Sequence, residues 1–116
     1  MSEILKTLRM YRGDSYPISI TISDSETGLA IDITGYSFKL TVNSDQNPTS
    51  ITNQKFTVVG ILDSDPTTGK VSFTPTSLNT DISPATYYYD IEMTDASNNI
   101  KTIAKSTFII LQDITK

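Results

Sequence analysis

The chain has 116 residues, 37% of them hydrophobic, enough for one ordinary domain that encloses a single core without metals or disulfides. Nine basic residues against 13 acidic ones give a net charge of -4, and the only arginines, Arg9 and Arg12, form no basic cluster, which argues against nucleic acid as a partner. With no Cys and no His, the disulfide framework, the usual zinc ligand sets, the Ser-His-Asp triad and the cysteine nucleophile are excluded.

The first ten residues, MSEILKTLRM, contain no signal-peptide apolar region, and no apolar run in the chain is long enough to span a membrane. Synthesis in the cytoplasm, with no membrane partner, is the expectation. Two readings compete for this segment. Ser2 could cap a helix with Ile4, Leu5 and Leu8 on one face, or Leu8 and Met10 could alternate within a strand from Leu5 to Tyr11.

From there the period is two. Ile18, Ile20 and Ile22 alternate with Ser19, Thr21 and Ser23, and Tyr36, Phe38, Leu40 and Val42 alternate with Ser37, Lys39, Thr41 and Asn43. A further strand is expected from Phe56 to Leu62, then one at Val71 and Phe73. Tyr87, Tyr89, Ile91 and Met93 alternate with Tyr88, Asp90, Glu92 and Thr94, and Ile100 to Leu111 forms the last run. Ser and Thr exceed a quarter of the chain and fall inside these runs, as solvent-facing strand positions require. Turn signals at strand-sized spacing separate the runs: Asp24 to Gly28, Asp45 to Pro48, Asp63 to Gly69 and Asp95 to Asn99. About seven short strands punctuated in this way predict an all-β, antiparallel, immunoglobulin-like β-sandwich, with residues 1–116 as one domain.

Candidate chemistry is sparse. Ser64 to Val71 has the outline of a phosphate loop, but Ser64 stands at the first glycine position and Val71 where Ser or Thr would ligate magnesium, so it reads as a turn. Asp63 and Asp65 lack the remaining oxygens of a calcium loop, so no metal and no cofactor are expected. Asn47-Pro48-Thr49 is barred from N-glycosylation by its proline. Asp90 and Glu92 share one strand face at about 7 Å, within reach of the carboxylate separation in glycosidases. No lid or tryptophan platform accompanies them. They read as a solvated face paired across strands with lysines such as Lys39 or Lys101.

The run Ser83-Pro84-Ala85-Thr86-Tyr87-Tyr88-Tyr89-Asp90-Ile91, then Thr94-Asp95, Asn99-Ile100-Lys101-Thr102 and Phe108 to Thr115, resembles the immunoglobulin-like module of bacteriophage tail and baseplate proteins, in particular the N-terminal domain of baseplate upper proteins. Arg12-Gly13-Asp14-Ser15 and Asp32-Ile33-Thr34-Gly35 match that family's strand-opening turn and the step before its next strand, whereas Ala85 departs from the family's Gly. The resemblance runs from about Met10 to Thr115, and the order of the motifs carries it. It implies a non-enzymatic structural component of a virion, with other virion proteins or further copies of itself as partners. A carbohydrate- or cell-surface-binding module on the same fold is the alternative.

Four groups of residues follow as candidates. Tyr87 and Tyr89 occupy the places of the corner tyrosine and the second cysteine of an immunoglobulin sandwich, so Tyr89 is expected in the core. Arg12, Gly13 and Asp14 read as a structural turn needing φ > 0 at Gly13, rather than as an integrin-binding tripeptide. A candidate interface comprises Leu5, Arg9, Tyr11, Ile109 and Leu111, because Ile109 and Leu111 alternate with Phe108 and Ile110 and both pairs cannot face one core. Covering the second pair takes either the N-terminal segment folded over it or a neighbouring subunit. Tyr88, Asp90 and Glu92 form a candidate surface patch.

Overall fold

The computed structural model describes residues 6–24, 26–48, 50 and 52–115. Eight strands follow one another: β1 (Leu8–Tyr11), β2 (Ile18–Thr21), β3 (Ser37–Asn43), β4 (Gln54–Val59), β5 (Ile61–Leu62), β6 (Lys70–Phe73), β7 (Ala85–Thr94) and β8 (Ile100–Leu111). They make a five-stranded sheet in the order β1-β8-β7-β3-β4, packed on a three-stranded sheet in the order β2-β6-β5. Two such layers with their apolar faces inward are an immunoglobulin-like β-sandwich.

The alternation seen in the sequence is what sorts the faces. Phe38, Leu40 and Val42 of β3, Tyr87, Tyr89, Ile91 and Met93 of β7, and Phe108 and Ile110 of β8 point into the core, where they meet Val71 and Phe73 of the smaller sheet. The ring of Phe108 packs edge-on against Phe56 and Tyr89, at centroid distances of 6.1 and 6.5 Å. The Tyr87 hydroxyl donates to the Ser83 carbonyl, as a corner tyrosine does, and the Tyr89 hydroxyl donates to the Lys6 carbonyl. Burial holds both phenols above their ordinary range.

Several local expectations are revised. Among the described residues the N-terminal segment is strand from Leu8 to Tyr11, because β8 offers it a ladder; Ser2, Ile4 and Leu5 lie outside the described residues. That pairing runs parallel, in contrast to the antiparallel sheet expected, since β1 and β8 are far apart in the chain and no hairpin dictates their direction. The single strand expected from Phe56 to Leu62 is two strands in different sheets. The chain crosses at Gly60, where a Cβ would stand 2.8 Å from Val71 Cγ2 and 2.9 Å from Phe38 Cβ, so only glycine passes between the layers. A short helix α1 (Ser77–Thr80) was not expected; Thr76 and Asn79 form a reciprocal capping box at its start.

Arg12-Gly13-Asp14 is the turn between β1 and β2. Gly13 has φ 81°, and the amide of Asp14 closes the turn on the Tyr11 carbonyl at 3.1 Å. The turn is tied to α1 by the Thr80 hydroxyl donating to the Asp14 carbonyl at 2.7 Å and by Arg12 Nε donating to Asp81 Oδ1 at 2.8 Å. These partners stand far along the chain, which makes the tripeptide an anchored corner of the fold.

Candidate interaction face and its pocket

The register of the five-stranded sheet places the two sequence-nominated groups on one surface. Arg9 stands beside Ile109 and Tyr11 beside Leu111 across the β1–β8 ladder. Ile109 stands beside Thr86 across β7–β8, and Tyr88, Asp90 and Glu92 continue that side of β7. Their neighbours in sequence, Met10, Phe108, Ile110, Tyr87, Tyr89 and Ile91, are all buried, so the nominated residues face away from the core. Tyr11 is 51% exposed, and Ile109 and Leu111 are half-buried. The described N-terminal residues lie beside β8 and do not fold over this face.

The charge pairing differs from expectation in one partner. Glu92 lies opposite Lys39 of β3, as anticipated, but Lys101 lies opposite Met93 and the lysine opposite Asp90 is Lys105. A bulge explains the change: the register shifts between Ile91 and Glu92, and Ile103 and Ala104 of β8 are both buried. One extra residue on β8 moves every later side chain by one position.

Over the middle of this face hangs the β3–β4 connection. The Ser44 amide bonds the Asn53 carbonyl at 3.1 Å, Asn43 Oδ1 accepts from the Asp45 amide at 2.7 Å, and Asp45 Oδ1 accepts from the Asn47 amide at 3.1 Å. The Lys105 ammonium reaches Asn47 Oδ1 at 3.5 Å, linking β8 to the loop. Loop and sheet enclose an open concavity of about 370 Å³ whose lining includes Thr41, Asn43, Gln54, Tyr88, Asp90 and Lys105. Glu92 does not line it.

Asp90 is the electrostatically unusual group here. Burial, followed by the charge of Glu92, raises its pKa above the ordinary carboxylate range, against the opposing pull of Lys105 and Lys39. Its carboxylate accepts no hydrogen bond from any described residue. Asn43 is 8% exposed, and with Oδ1 committed to the loop, its Nδ2 has no partner among the described residues. Sequence reasoning passed over Asn43 and Lys105. Asn43 looked like one more polar strand position, and nothing in the composition signals that the following loop folds back over it.

A second hollow, of about 380 Å³, lies where edge strands β1 and β2 part, between Leu8, Met10, Ile18, Ile20 and Tyr89. The turn carboxylates behave differently from Asp90. Asp65 Oδ1 accepts from the Thr67 amide and hydroxyl at 3.1 and 2.6 Å, and Asp63 Oδ2 accepts from the Asp65 amide at 3.3 Å, so both serve the turn they sit in. No group of three or more metal-ligating side chains is gathered among the described residues.

No family model matches the chain, and no curated protein sequence does. Among solved structures, the chain is similar to CopC from Methylosinus trichosporium OB3b, with a TM-score of 0.52 and 7% identity over 95% of this chain and 88% of that one. It also matches AggA, the major subunit of aggregative adherence fimbriae type I from Escherichia coli, with a TM-score of 0.36 and 9% identity over 96% of this chain and 100% of that one. At such identities the likeness concerns architecture, and the architecture shared with CopC is the immunoglobulin-like β-sandwich.

Proposed function

We propose that this chain is a non-enzymatic structural and assembly component of a bacteriophage virion, of the tail or baseplate, acting through protein–protein contacts on the outer face of the five-stranded sheet. The order of motifs along the sequence supports the virion assignment. The observation that carries the contact assignment is the β1–β8 ladder, which brings Arg9, Tyr11, Ile109 and Leu111 into one patch at the edge strand of the sheet among the described residues. Tyr and Arg are residue types enriched where protein surfaces meet, and an edge strand presents unpaired backbone groups to a neighbour. Partners are other virion proteins or further copies of this chain.

Mass spectrometry of purified, intact particles tests the assignment, with Ile109→Lys as the variant. The wild-type chain is expected among the particle proteins, and the variant, folded by circular dichroism, is expected to be depleted from them. Absence of the wild-type chain from particles overturns the virion reading. Incorporation of Ile109→Lys at wild-type level overturns the choice of face.

A further inference from the structure

The concavity under the β3–β4 loop has the chemistry of a ligand site, and its composition restricts the ligand. Tyr88 lines the concavity, standing between Asn43 on β3 and Thr107 on β8 in the strand register. On one side is Asn43 Nδ2, a donor on a residue more than nine-tenths buried and without a partner among the described residues. The atom itself is accessible to solvent, so it can donate to an incoming acceptor. Along β7 stands the Asp90 carboxylate, with acceptor capacity on both oxygens, and across from it Lys105 supplies a further donor.

From this arrangement we infer that the pocket formed by Asn43, Tyr88, Asp90 and Lys105 binds a neutral pyranose residue of a glycan. Asp90 and Lys105 face each other across the ladder and their charges offset, while Asp45 in the lining turns away anions and has its Oδ1 engaged by the Asn47 amide. A ring bearing adjacent hydroxyls suits the set, because each hydroxyl both donates and accepts: two neighbouring hydroxyls can donate to the Asp90 oxygens while others accept from Asn43 Nδ2 and Lys105 Nζ. The C–H face of such a ring then lies on the electron-rich face of Tyr88. A volume of about 370 Å³ is at the small end of ligand pockets and suits one or two rings. The raised pKa of Asp90 agrees with a carboxylate partly withdrawn from solvent and lacking hydrogen-bond donors of its own. The site differs from the Tyr88, Asp90 and Glu92 surface patch read from the sequence: Glu92 drops out, and Asn43 and Lys105 enter. It does not depend on the virion assignment.

The test is a ¹H–¹⁵N NMR titration of the whole chain with the methyl glycosides of glucose, galactose, mannose and N-acetylglucosamine, each up to roughly 50 mM, to reach the millimolar Kd typical of weak ligands. At least one sugar is expected to give saturable shifts of the Asn43 side-chain amide and of the Tyr88 and Lys105 backbone amides, insensitive to added salt. Asp90→Asn and Tyr88→Leu, both at positions facing away from the core, are expected to weaken binding tenfold or more. Asn43→Asp keeps the acceptor for the Asp45 amide, removes the donor, and is expected to weaken binding likewise. The inference is overturned by no saturable shift with any of the four sugars, by shifts that map away from these residues, or by binding that folded Asp90→Asn and Tyr88→Leu leave unchanged. It is also overturned if methylammonium binds the same residues more tightly than every sugar, with an affinity that falls as salt rises, because the site is then an ionic one.

Discussion

The two faces of β7 are built from similar residues and used in different ways. Inward, Tyr87 and Tyr89 have their hydroxyls bound to the carbonyls of Ser83 and Lys6, and their rings are packed. Outward, Tyr88 and Asp90 stand on the same strand without a hydrogen-bond partner among the described residues. Asp95, at the end of that strand, shows that the lack is specific to the face: its Oδ1 accepts the amides of Ser97 and Asn99, each at 2.9 Å. A polar group whose partners lie within its own turn is there for the fold. One that faces an open hollow with its capacity unused is there for something else, or is neutral.

The sharpest test of that contrast sets Phe108 against Ile109. Phe108→Ala empties the meeting point of two aromatic neighbours and is expected to cost about 3–5 kcal/mol in urea unfolding. Ile109→Lys, on the opposite face, is expected to cost about 0.5 kcal/mol or less. A large loss from Ile109→Lys in a strict monomer breaks the contrast and makes that face internal.

Next in size is the corner between β1 and β2. Gly13→Val forces a β-branched residue to φ near 81° and is expected to destabilise by ~1 kcal/mol or more. Arg12→Ala removes an ion pair whose side chains are 38% and 53% exposed, and is expected to cost less than about 1 kcal/mol. The reverse order, with Arg12→Ala abolishing attachment to mammalian cells, restores the adhesion reading of the tripeptide.

The tyrosines come third. Tyr87→Phe and Tyr89→Phe each strip a donor from a backbone carbonyl and are expected to lower stability by about 1 kcal/mol, whereas Tyr88→Phe is expected to be neutral. Equal effects at all three positions erase the distinction between the faces.

The smallest effect is a difference in sign with pH. The Asp90 pKa is raised in the fold, so its ionised form opposes folding, and the penalty applies above the ordinary carboxylate value of about 4 and fades as pH falls through the raised value. The Asp95 pKa is lowered, chiefly by the Asn99 amide, so it supports folding above about 4, and the support is lost as pH falls through the lowered value. Asp90→Asn is therefore expected to raise the Tm at pH 7, with the gain shrinking towards pH 4. Asp95→Ala is expected to lower the Tm at pH 7, with a deficit that narrows in stronger acid. Shifts of the same sign at pH 7 defeat this account.

Alternation made β3, β7 and β8 readable, because a half-buried strand writes its inner face into every second residue. It carried the outward parity of Ile109, Tyr88 and Asp90 as well. What it does not encode is which strands become neighbours. The pairing of β1 with β8, the bulge at Ile103 and Ala104 that exchanges Lys101 for Lys105, and the burial of Asn43 by its own loop all depend on contacts between distant segments. Gly60 is the same case in miniature: it lies inside the single strand expected from Phe56 to Leu62, and only the approach of Val71 and Phe38 shows it to be a crossing.

The parallel ladder between β1 and β8 also has a mechanical meaning. A pull applied upstream of β1 and downstream of β8 runs along both strands in opposite senses, so the bonds from Leu8↔Phe108 to Tyr11↔Leu111 carry the load together, in shear. The same bonds in an antiparallel terminal hairpin would open one at a time, from the end. A module closed in this way carries tension between its two terminal strands without unzipping.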